Sequence, residues 1–206
     1  MQVISLVSNK GGAGKTTLAI NLAVAASLEG HQTALIDLDP QGSSAQWGDS
    51  REAPEPVIVS VQAPRLKTVL EAAEGSGAEF CFIDTAPHSE SASLAAARAS
   101  NLCLVPVRPA ILDLRAIALT LDMLQLVAAK RAIVLNSIPT KGLALEATNA
   151  LSGLGCSLGP TVWQRVAYMH SLTAGLGVIE YEPEGKAAGE IRLLFDWLKK
   201  QLDILT

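Results

Sequence analysis

The chain has 206 residues, of which 49% are apolar, 17% charged and 4% aromatic, with a formal net charge of −4. That balance excludes a disordered chain and gives enough length for one domain, residues 1–206, around a sizeable core. So few aromatics argue against stacking on single-stranded nucleic acid, and the acidic total argues against a general DNA-coating protein.

The charge is uneven. Residues 1–90 hold 5 Lys/Arg against 11 Asp/Glu, and residues 91–206 hold 11 against 9, so a basic patch in the second half stays open. Cys81, Cys103 and Cys156 lack metal-ligand spacing and read as small buried apolar groups in a reducing compartment. No leader-like segment opens the chain and no apolar run reaches spanning length, so the expectation is a cytoplasmic protein with no membrane partner.

In chain order, "QVISLV" (2–7) reads as a buried strand, and "TTLAINLAVAASLEG" (16–30) as a helix stopped at Gly30. "TALIDL" (33–38) is the next strand, and "GDSREAPEP" (48–56), with two prolines and mixed charge, is the most loop-like stretch. "VIVSV" (57–61), "FCFID" (80–84), "LCLVPV" (102–107) and "AIVLN" (132–136) continue the strands. Helices are predicted near 64–74, 89–99, 111–129 and 143–152, the third with Ile111, Leu114, Ala118, Leu121 and Leu124 on one face. Strands this continuously apolar belong in a parallel sheet covered on both faces. The alternation predicts an α/β, doubly wound, mostly parallel sheet with helices on both faces, and ligands gather at the carboxyl ends of such strands.

Between the first strand and the first helix lies "VSNKGGAGKTTLAIN" (7–21). Glycines there let backbone N–H groups approach phosphate oxygens, and the helix that follows adds its partial positive N-terminus. A Gly-Lys-Thr placed between a strand and a helix is the context of a P-loop, in which Lys15 reaches the β and γ phosphates and the Thr16 hydroxyl ligates Mg²⁺. Asp84 ends an apolar strand and is placed to hold an Mg²⁺-bound water. Asp37 and Asp39 share one face at the end of another strand, a pairing that needs a cation nearby. One oddity remains: Asn9 stands where a P-loop usually has Gly, and a second lysine, Lys10, sits beside it.

"KGGAGKTT" resembles the deviant Walker A loop of the ParA/MinD ATPases, whose second lysine is a signature. "LIDLDPQGSSAQW" (35–47) resembles the family's first switch, "FCFIDTAP" (80–87) its Walker B strand and second switch, and "EGKAAGEIRLL" (184–194) the start of the ParA terminal helix. The resemblance covers residue 2 to about 200. It implies an ATP hydrolase, slow without its partner, with ATP/ADP and Mg²⁺ as ligands. The nucleotide would be bound by Lys10, Gly11, Gly12, Ala13, Gly14, Lys15, Thr16 and Thr17, with Asn136 reading the base. Thr16, Asp37 and Asp84 would serve the metal, Asp39 would orient the attacking water, and "GSS" (42–44) would be a mobile switch. The catalytic set is then Lys10, Lys15 and Asp39, with Lys10 crossing to the partner's ATP in an ATP-dependent sandwich homodimer.

Among relatives, an iron–sulfur electron carrier needs cysteines shared between subunits, and these cysteines sit mainly in core strands. A metabolic kinase leaves Lys10 without work. A MinD-like membrane regulator needs a basic amphipathic tail. The stripe Ile191, Leu194, Phe195, Leu198, Leu202 and Leu205 in residues 190–206 carries acids that offset its bases, so core packing is expected. The preferred reading is a ParA-type ATPase for plasmid or chromosome partition. It would be nucleoid-associated, bind double-stranded DNA non-specifically and be stimulated by a small ParB-like adaptor, with cargo positioning or a MinD-like role as the alternative. Arg165 and Lys186 are nominated as phosphate contacts, with Arg98, Lys130 and Arg131 as a second patch, and no N-terminal helix-turn-helix extension is expected.

Overall fold

A computed structural model describes residues 1–203, with every side chain there except those of residues 111, 112 and 115. Seven parallel strands form one sheet: β1 (Gln2–Leu6), β2 (Thr33–Asp37), β3 (Val57–Ser60), β4 (Phe80–Asp84), β5 (Leu102–Val107), β6 (Arg131–Leu135) and β7 (Ser157–Leu158). Their order is β3-β2-β4-β1-β5-β6-β7, so the chain crosses over β1 between β4 and β5. β7 has no counterpart in the sequence reading, because two residues give no measurable periodicity.

Alternate side chains of each strand enter opposite layers. Ile4, Leu6, Leu35, Phe82, Leu104 and Val134 pack under α1 (Lys15–Leu28), α7 (Val166–Thr173), α8 (Val178–Tyr181) and α9 (Lys186–Gln201). Val3, Ile36, Cys81 and Ile83 pack under α3 (Leu66–Gly75) and α4 (Glu90–Ala99). Cys103, Val105, Ile133 and Leu135 pack under α5 (Ile111–Leu126) and α6 (Lys141–Leu151). Burial pushes the Cys81 and Cys103 thiols up to about 12 and about 11, which keeps them inert.

Two details differ from the sequence pattern. α5 stops at Leu126, and its buried face is Ile117, Thr120, Leu121 and Leu124, while Ala118 is exposed. The "GSS" stretch opens a helix, α2 (Ser43–Asp49), in which Ser44 is fully buried. The terminal stripe goes where packing predicts: Ile191, Leu194, Phe195 and Leu198 are in the core and Leu202 packs against it, while Leu205 lies outside the described residues. No described helix is long and apolar enough to cross a membrane.

Candidate nucleotide site

The loop of residues 8–14 leaves β1 at the carboxyl edge of the sheet and turns into α1. Gly14 is the turning point. Its φ of 92° lies in the left-handed region, and a Cβ there would stand 2.0 Å from Asn136 Nδ2. Only glycine lets the loop lie against Asn136, whose Nδ2 donates to the Ala13 carbonyl at 2.8 Å. In this conformation the Asn136 amide braces the phosphate loop through one N–H, with its second N–H and its carbonyl oxygen not used in that bond.

Lys15 is 6% exposed, and its ammonium donates to the Ser8 carbonyl at 3.2 Å and the Lys10 carbonyl at 3.3 Å. Burial lowers its pKa, opposed by Asp84 and Asp39 nearby. Asp84 ends β4 beside both Leu6 of β1 and Asp37 of β2. Its Oδ2 accepts the Ser44 hydroxyl at 2.8 Å, while its buried Oδ1 has no partner among the described residues. Burial raises its carboxyl to about 6, with the Thr16 and Ser44 hydroxyls pulling it down, Asp37 pushing it up and Lys15 pulling it down. The site thus holds a cation in want of anionic oxygens and a carboxylate oxygen in want of a cation. Phosphate oxygens and Mg²⁺, held by Thr16 and Asp84, fit that donor set.

Asp37 is fully buried, and its two oxygens accept three backbone N–H groups: Asp39 at 2.9 Å, Ser44 at 3.0 Å and Ala45 at 3.1 Å. Burial raises its pKa and those N–H bonds lower it, with burial the larger effect. In the structure it braces the turn and the start of α2, and it sits beside Asp84, the other carboxylate that the sequence reading assigns to the metal. Asp39 stands just outside, partly exposed, and its Oδ1 caps the Gln41 N–H at 2.9 Å.

Lys10 does not enter its own loop. Its ammonium pairs with Asp113 of α5 at 3.0 Å, and its side chain is 42% exposed. Beside it opens a cleft of about 510 Å³ between Asn9, His88 and Glu90 on one side and Ala116, Leu119 and Met123 of α5 on the other. Leu119 is 67% exposed there. Sequence reasoning passed over Asp113 and Ser44. Asp113 lies about a hundred residues from Lys10, and Ser44 looks like any serine in a loop. Arg108, whose Nη1 lies 3.7 Å from where a Cβ on Gly12 would stand, was also missed; its position just beyond β5 at the carboxyl edge was the available signal.

The nominated DNA contacts part company. Arg165 donates from Nε to Glu190 Oε1 at 2.6 Å, and the same carboxylate accepts from Tyr168 at 3.3 Å and from the Trp163 N–H at 3.1 Å. That guanidinium is paired within the fold, with 30% of its side chain exposed. Lys186 is exposed at the start of α9, close in sequence to the exposed Glu182 and Glu184. In the second patch, Lys130 donates to the Gln201 carbonyl and Arg131 to Gln125 Oε1 at 3.4 Å, while Arg98 is exposed.

Residues 4–168 match the family described as CobQ/CobB/MinD/ParA nucleotide binding domain. The chain is 29% identical over 208 residues to maintenance of carboxysome distribution protein A of Gloeobacter kilaueensis, covering 98% of this chain and 94% of the relative. It is 27% identical over 199 residues to the protein of the same name from Halothiobacillus neapolitanus, covering 91% of each. Among solved structures, the septum site-determining protein MinD of Pyrococcus horikoshii with Mg-ADP superposes with a TM-score of 0.78 at 18% identity, covering 98% of each chain.

Proposed function

The chain belongs to the CobQ/CobB/MinD/ParA nucleotide-binding family, and on that footing we propose that it is an ATP-driven positioning ATPase that spaces a large protein assembly. The observation that carries this reading is the pair of relatives matched almost end to end, both described as maintaining carboxysome distribution. The preference for plasmid or chromosome partition gives way on that ground.

The reaction is hydrolysis of ATP to ADP and phosphate. Lys15, already poised among carbonyls, exchanges them for β and γ phosphate oxygens. Mg²⁺, when bound between Thr16 and Asp84, supplies positive charge against the phosphoryl oxygens. Asp39, at the exposed end of the turn that Asp37 braces, orients the attacking water. Lys10 leaves Asp113 and meets the ATP of a second copy, which docks across the cleft lined by Leu119. Hydrolysis waits on an adaptor protein, and the ATP dimer uses non-specific double-stranded DNA as its track, so the protein is cytoplasmic and nucleoid-associated.

Two measurements test this. Asp39→Ala with ATP and Mg²⁺ should give a dimer by light scattering; a monomer at saturating ATP would sink the sandwich. Deleting the gene should abolish the even spacing of the assembly and leave plasmid inheritance intact. Plasmid loss with normal spacing would restore the partition reading.

A further inference from the structure

Just beyond α2 sits a buried arginine that the nucleotide site does not touch. Only 4% of the Arg51 side chain is exposed, and all three guanidinium nitrogens are engaged. Nε donates to the Glu55 carbonyl at 2.8 Å and Nη1 to the Gly175 carbonyl at 3.3 Å. Nη1 and Nη2 also meet both Glu180 oxygens, at 2.8 and 2.7 Å. Its carbon lies 5.1 Å from the ring centroid of Trp47, a buried side chain of α2. Glu180 is tied on its other side, where Oε2 accepts the Gly177 N–H at 2.8 Å. The linker between α7 and α8 is pressed onto the same place: a Cβ on Gly175, whose φ is 69°, would stand 2.5 Å from the Ser50 carbonyl oxygen.

The other end of α2 is the nucleotide site, where Ser44 holds Asp84 and the Ser44 and Ala45 N–H groups hold Asp37. Seven helical residues, about 10 Å, separate the two ends. A bidentate guanidinium–carboxylate pair fixes orientation as well as distance, and a buried one is strongly opposed to losing either partner. We propose that Arg51 and Glu180 form a joint through which α2 and the Gly175–Tyr181 segment move as one body, so that occupancy of the nucleotide site is read out on the α7–α8 face. That face presents Val166 and Met169, more than 60% exposed, and Tyr181, which packs edge-on to His170. Arg51 is thus a positioning residue, acting through α2.

The joint rests on the nucleotide-site reading, and the test separates the two. Hydrogen exchange of the full chain is followed with and without Mg²⁺ and a non-hydrolysable ATP analogue, and binding of the analogue is measured calorimetrically in the same buffer. In the wild type, exchange should slow at least threefold in both 41–56 and 172–182. In Glu180→Gln, which keeps the shape and the acceptor for Gly177 but not the charge, the response of 41–56 should persist and that of 172–182 should fall by half or more. Arg51→Lys should behave likewise. A merely structural pair would loosen 172–182 equally in both states and leave the nucleotide-dependent difference intact, which would overturn the joint. So would a wild-type 172–182 segment indifferent to an analogue that binds. No binding at all overturns the site reading and the joint with it. Should both variants unfold, Ser44→Ala removes the hydroxyl bond to Asp84 at the other end while keeping the N–H bonds to Asp37, and the 172–182 response should weaken; a 172–182 response as large as that of the wild type also overturns the joint.

Discussion

Replacing Asp84 by Asn should stabilise the nucleotide-free protein at neutral pH and abolish its response to Mg²⁺. The carboxyl is fully buried, one oxygen has no partner among the described residues, and burial lifts its pKa from 3.8 to about 6. Below 3.8 it is protonated in the folded and unfolded chain alike and makes no difference to stability. Between 3.8 and about 6 the unfolded chain has released a proton that the folded chain keeps, so stability falls as pH rises; above 6 the whole penalty is present. At about 1.36 kcal/mol per pH unit, that span is about 3 kcal/mol. Asn cannot ionise and can still accept the Ser44 hydroxyl, but it brings buried N–H donors that cost about 1–2 kcal/mol. The net gain is about 1–2 kcal/mol, or about 2–8 °C in Tm for a chain of this size. Thermal melts at pH 7.5 and pH 4.0, with and without Mg²⁺–ADP, read it directly. The gain should vanish or reverse at pH 4.0, and Mg²⁺–ADP should raise the Tm of the wild type alone. A variant less stable than wild type by the same margin at both pH values would refute the reasoning.

Asp113→Asn releases Lys10 from a partly exposed ion pair worth about 0.5–1 kcal/mol, and a dimer contains two such pairs, so ATP-dependent dimerisation should tighten about 5–30-fold in sedimentation analysis; weaker dimers would mean that Asp113 serves the interface itself. Gly14→Ala should lower stability by about 1–3 kcal/mol and nucleotide affinity at least tenfold, read by melting and calorimetry, because its Cβ collides with Asn136 at an already left-handed φ; unchanged affinity would refute the packing of the loop. Arg165→Ala should change low-salt DNA binding by less than about twofold in a gel shift, while stranding Glu190 lowers stability by about 1–3 kcal/mol. A tenfold loss of DNA binding at constant Tm would restore Arg165 as a phosphate contact.

The sheet and the phosphate loop were legible because their signals are local. Unbroken apolar runs such as "FCFID" and "LCLVPV" declare buried parallel strands, and the glycines before Lys15 declare their own backbone needs. What stayed hidden depends on which residues the fold brings together. Nothing near Asp37 in sequence says that three N–H groups will converge on it. Arg165 looked free because Glu190 lies 25 residues away, in α9, beyond α7 and α8. Ser44 looked mobile because a short helix with two serines and no measurable apolar repeat carries no periodic signal. The relatives matched along nearly the whole chain moved the functional reading from DNA partition to the spacing of a protein assembly, a distinction that the loop and its carboxylates do not encode.

The Lys10–Asp113 pair has a bearing on how association responds to its medium. A trans contact between a lysine and a phosphate would ordinarily make dimerisation strongly salt-dependent, since added ions screen the attraction that forms it. In the proposed dimer each Lys10 contact with phosphate is made by giving up its pair with Asp113. Screening weakens the bond lost along with the bond gained, so the net salt dependence is smaller than the new contact alone would give. On that reading, assembly depends less on salt than a lysine with no partner to give up would make it.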